Sequence, residues 1–130
     1  MEYTELLEKQ IIGRLKVDNP WWTTGTTSDF FRQMSPRLYL DIFVPLVYDR
    51  NTRRATILMG PRRVGKTVMM FHTIQKLIDD GVSPQNIIYI SVETPIYNKI
   101  YLEHLYNLAC QVLSKSPTQD EMYVFYDEIQ

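Results

Sequence analysis

The residues from 55 onward predict an α/β fold built on a parallel sheet. Two observations carry that reading. Short apolar runs alternate with longer segments at helical spacing, and glycine or proline sits at the junctions. Strand, helix, strand, helix, strand is the order that parallel crossovers produce, because parallel neighbours need a long connection between them.

Each element has its own warrant. "TELLEKQIIGRLK" places Leu7, Ile11 and Leu15 on one face, with Glu5 and Lys9 spaced to pair outside, so an amphipathic helix of three turns is expected. "VDNPWWTTGTTSDF" is dense in turn formers and reads as a linker. Phe30 to Tyr48 is apolar and aromatic, helical in part, with Pro45 limiting any single helix. "NTRR" makes a polar corner. Together these form an N-terminal helical and linker lead over 1–50, ahead of a core over 51–130.

In the core, "ATILM" (Ala55 to Met59) suits a buried parallel strand. Met70, Phe71, Ile74, Leu77 and Ile78 follow helical spacing from Lys66 to Asp80, where Gly81 and then Pro84 stop the helix. "NIIYISV" (Asn86 to Val92) is a second buried strand. Ile100, Leu105, Leu108, Val112 and Leu113 mark a second helix, and "MYVFY" (Met122 to Tyr126) a third strand.

Bulk properties bound the function without naming it. The 130 residues allow one domain at most. Apolar content of 45% and charged content of 22% are those of an ordinary soluble globule, and a net charge of −1 selects no partner. The N-terminus lacks the basic start and apolar block of a signal peptide. "YLDIFVPLVY" is broken by Asp41 and Pro45 and is too short to span a bilayer, so no membrane association is expected. The single Cys110 excludes an internal disulfide and fits the reducing cytoplasm.

Two motifs carry chemistry. "GPRRVGKTV", Gly60, Pro61, Arg62, Arg63, Val64, Gly65, Lys66, Thr67 and Val68, contains G-x-x-x-x-G-K-[ST] with every fixed position filled. A loop that wraps a polyphosphate must turn its N–H groups inward, and Gly60 and Gly65 permit the angles and the close approach. The helix that follows favours an anion at its N-terminus. Lys66 is placed to reach the β- and γ-phosphates, and the Thr67 hydroxyl to ligate Mg²⁺. With glycine at about 7% of residues, the pattern arises by chance in roughly one chain of this length in 200. Position adds to that specificity, since the loop lies between a strand and a helix.

The second motif is "YVFYDEIQ", Tyr123 to Gln130. A buried strand delivers carboxylates at its C-terminal end, where ligands sit in open parallel sheets. Asp127 is the metal partner, and Glu128 the catalytic group that orients and polarises the attacking water. Glutamate directly after the metal aspartate favours water as acceptor, hence hydrolysis.

"GPRRVGKT", "GVSPQNIIYISVETP" and "YVFYDEIQ" together resemble the AAA+-type P-loop ATPases of bacteria and archaea that pair a GPRRVGKT Walker A loop with a DEIQ Walker B strand. The similarity runs from about residue 20 to the last one. It implies a three-layer P-loop NTPase-like parallel sheet, truncated after the third core strand and preceded by the helical lead. ATP and Mg²⁺ are the implied ligands. Gly60, Gly65, Lys66 and Thr67 are the implied binders, Asp127 the metal partner and Glu128 the base. Similar proteins carry a further strand between the first and third, a sensor residue, an arginine finger and a lid, all beyond Gln130. Two arrangements follow: the third strand pairs directly with the first, which we expect, or the sheet stays gapped. Without the finger, this chain is expected to bind ATP–Mg²⁺ weakly and turn it over barely.

Other residues have competing readings. Arg50, Arg53, Arg54, Arg62 and Arg63 either steer an anion or form a solvated corner. Trp21 and Trp22 either stack on adenine or a partner, or pack on the core, which is commoner. His72 and His104 lack a companion at ligand spacing. Cys110 reads as core, Tyr97, Tyr101 and Tyr106 as surface cover, and Glu93 as a loop residue or supporting acid. Two function classes remain: an ATP-binding and hydrolysing domain, or a non-catalytic nucleotide-binding fragment or interaction module. The latter would self-associate or pair with a full-length relative through an open sheet edge. Nucleic acid is a third candidate partner, supported only by the arginines and by analogy.

Overall fold

The computed structural model describes residues 2–27, 55–59 and 66–129. Phe30 to Tyr48, the arginines at 50, 53, 54, 62 and 63, and the loop residues Gly60, Pro61, Val64 and Gly65 lie outside the described residues.

The chain begins with helix α1 (Glu2–Asp18) and a single helical turn, α2 (Trp21–Thr24). Strand β1 (Ala55–Met59) precedes helix α3 (Lys66–Asp79), and strand β2 (Ile87–Ser91) precedes helix α4 (Leu102–Leu113). Strand β3 (Tyr123–Ile129) is the last element. Short 3₁₀ turns at Pro84–Asn86 and Pro95–Tyr97 flank β2. The expected stop after α3 is present: Gly81 has φ +103°, and Val82 N–H donates to Leu77 O at 2.9 Å, closing the helix end.

The sheet order is β1-β3-β2, and both pairings are parallel. The third strand therefore pairs directly with the first, as expected, and lies between the other two. In register, Leu58 and Ser91 both oppose Asp127, so one row crosses the sheet at the level of the acidic motif. β3 also runs further than its apolar residues indicate. Asp127 and Glu128 lie within the strand, because β1 and β2 keep pairing with it past Tyr126.

Alternation along β3 assigns its faces. Tyr89 and Asp127 turn toward α3, where Tyr89 packs at 4.6 Å against Phe71 with the rings tilted by 43° and Asp127 meets Thr67. Tyr126 points the other way. Burial and the neighbouring Cys110 of α4 push its phenol up to about 12. One apolar cluster joins β2, β3, α3 and α4 with Ile11, Leu15, Trp21 and Trp22 of the N-terminal lead.

That lead is anchored through polar contacts as well. Asn19, which is 1% exposed, uses its amide as a strand would: Oδ1 accepts from Tyr89 N–H at 2.7 Å, and Nδ2 donates to Tyr89 O at 3.0 Å. The Trp21 and Trp22 indoles both donate to Ile87 O, at 3.0 and 2.7 Å. Thr26 and Thr27 hydroxyls donate to Gln75 Oε1 of α3 at 2.8 and 2.9 Å. The turn formers that read as a linker do make turns, with Gly25 at φ +80°. Their buried members also cover the outer edge of β2, whose backbone groups need partners. Both tryptophans pack on the core, the commoner of their two readings.

Candidate functional site

α3 starts at Lys66, directly after the glycine-rich loop, so Thr67 occupies its first turn. No acidic residue lies in that turn to oppose an anion. From there the Thr67 hydroxyl donates to Asp127 Oδ2 at 2.7 Å, across 60 residues of sequence. Thus the structure brings together the two residues that the motifs nominate for the metal. Val68, the next residue of the motif, is half-buried in the same helix.

Asp127 is 1% exposed, and a buried carboxylate requires hydrogen-bond donors. Thr67 supplies one. The second comes from a residue outside both motifs: Tyr89 O–H donates to the same Oδ2 at 2.6 Å. Three elements, α3, β2 and β3, therefore converge on one oxygen atom. Burial first, and then the bond to Asp127, push the Tyr89 phenol far above its usual range. Sequence did carry a signal for it. Tyr89 is the one phenol in the otherwise aliphatic run "IIYI", and a buried tyrosine needs a partner for its hydroxyl.

Glu128 follows Asp127 within β3, where the register with β1 slips. Leu58 opposes Asp127, but Met59 opposes Ile129, so Glu128 is the extra residue of a bulge.

An open cavity of about 340 Å³ adjoins Thr67 and Tyr89. Its walls include Arg14, Asp18, Phe71 and Ser91, and Arg14 pairs with Asp18 at 3.1 Å. Thus α1 forms one side of the cavity that Thr67 and Tyr89 line.

The remaining candidates are placed elsewhere. His104 Nε2 lies 3.5 Å from Glu8 on a half-exposed surface, and Glu93 is exposed. Cys110 is buried in the core, where burial raises its thiol above the usual range. Tyr97 is buried, Tyr101 is exposed, and Tyr106 donates to Pro117 O at 3.0 Å. Among the described residues no three His, Cys, Asp or Glu side chains gather as a metal cluster. The donor set at Asp127 is carboxylate and hydroxyl oxygen, which suits a hard cation such as Mg²⁺. That ion takes one or two protein oxygens and completes its shell with phosphates and water.

A parallel α/β sheet with a hydroxyl and a carboxylate meeting at its strand ends is compatible with a nucleotide-binding α/β domain. A family model described as an AAA domain matches residues 52–130, and the chain belongs to that family. Membership supports nucleotide binding of the ATPase type. Comparison with curated proteins and with solved structures found no match. No helix among the described residues is long and apolar enough to cross a membrane.

Proposed function

We propose that the chain binds ATP with Mg²⁺ through a phosphate loop over Gly60–Val68, in a cytoplasmic, ATP-hydrolysing P-loop domain. The core over 51–130 is read as the three-layer ATPase unit, and 1–50 as its lead. The observation that carries the proposal is the 2.7 Å contact between Thr67 and Asp127, because it unites the ends of two motifs that sequence keeps 60 residues apart.

The roles follow from chemistry. Backbone amides of the loop and the start of α3 would hold the phosphates, and the Lys66 ammonium would neutralise the β- and γ-groups. Thr67 can offer an oxygen lone pair to Mg²⁺ while its O–H still donates to Asp127. Bound there, the ion would screen the phosphate charge and polarise the γ-phosphoryl group. Glu128 would orient water toward that group and accept its proton.

The test is calorimetry with Mg²⁺–ATP on the 130-residue chain and its Lys66→Ala variant. The proposal expects binding in the first and its loss in the second, with unchanged circular dichroism. Equal heats from both, or none from the folded parent, would refute it. Glu128→Gln then separates the steps: binding persists while any phosphate release stops.

A further inference from the structure

Two hydroxyls claim one oxygen of Asp127, and only one of them has a part in the reading above. Thr67 belongs to the phosphate-loop motif. Tyr89 belongs to neither motif, yet its contact is the shorter of the two.

What surrounds Tyr89 limits its freedom at both ends. Its ring lies 4.6 Å from that of Phe71, which Trp21 in turn meets edge-on at 5.8 Å. Its backbone is held on both polar groups by Asn19. A residue fixed in this way sets where Oδ2 of Asp127 can be. The carboxylate would otherwise rotate when the Thr67 oxygen turns to a cation.

We propose that Tyr89 is a positioning residue for the metal carboxylate, pinning Asp127 so that it meets Mg²⁺–nucleotide without reorganising. The inference rests on the proposed Mg²⁺–ATP reading and adds a residue that neither motif contains. Tyr89 touches neither metal nor nucleotide in this account. It acts through Asp127, as outer hydrogen-bond partners do at metal sites.

Tyr89→Phe removes the hydroxyl and keeps the ring against Phe71. ATP affinity is measured by calorimetry for parent and variant, once with Mg²⁺ and once in EDTA. The metal-free arm reports the loop and the folded fraction, and the gain between arms reports the metal. We expect the metal-free affinity to stay the same and the Mg²⁺-dependent gain to fall about tenfold. Paramagnetic titration with Mn²⁺ and ATP should show the same loss of metal affinity. A variant whose two arms both match the parent overturns the proposal. So does one whose two arms weaken together, since Tyr89 would then merely support the fold. A parent that binds ATP with no gain from Mg²⁺ removes the metal reading itself, and the proposal falls with it.

Discussion

The strand-end site and the N-terminal lead use similar bonds for different ends. At the site, hydroxyls from α3 and β2 converge on a carboxylate of β3. In the lead, an amide and two indoles lie along the outer edge of β2 and partner its backbone groups. Both satisfy buried polar groups. The first gathers two donors on a single carboxylate oxygen at the strand ends, whereas the second occupies backbone groups along the edge of β2. Perturbing the site should therefore change binding, and perturbing the lead should change stability.

The largest stability effect is expected at Asn19. Asn19→Leu keeps the branched heavy-atom shape but strips partners from Tyr89 N–H and C=O. Each unsatisfied group costs about 1–3 kcal/mol, so a loss of about 3 kcal/mol in urea unfolding is expected. A loss under about 0.5 kcal/mol would mean that the lead does not seal the edge.

Alkaline pH should have the next largest effect. The Tyr126 phenol is raised to about 12 by burial, so its neutral form is favoured in the folded state. Its contribution is complete below the unfolded value near 10 and is lost as pH rises from there toward 12, amounting to about 2.7 kcal/mol. Stability profiles by denaturant titration should fall across that window and fall less in Tyr126→Phe. Identical slopes would contradict the assignment.

Trp22→Phe should do least. It removes one of two donors to Ile87 O, leaving Trp21 on the same carbonyl, and about 1 kcal/mol is expected. A larger loss than that of Asn19→Leu would reverse the ranking of amide over indole.

The same contrast explains what could be read in advance. Spacing located every described core helix and strand, since periodicity and glycine punctuation are local properties. Motif chemistry nominated Thr67 and Asp127, and the structure brings their side chains into contact. Tyr89 depends on register: it reaches Asp127 because Ser91 opposes that residue and Tyr89 lies two positions before it on the same face. No local pattern supplies that offset. Asn19 was concealed differently. Among Asp18, Pro20, Gly25 and several threonines it has the composition of a loop, and only contact with an edge 70 residues away reveals its use. Tyr126 and Asp127 show the boundary problem: polarity suggested that the strand ends where pairing in fact continues.

The most direct test is a double-mutant cycle on Mg²⁺–ATP affinity with Thr67→Val, Asp127→Asn and the pair. If the two side chains form one metal site, the losses are coupled by about 1 kcal/mol or more. Losses that simply add, or a parent chain that binds no Mg²⁺–ATP, would contradict it.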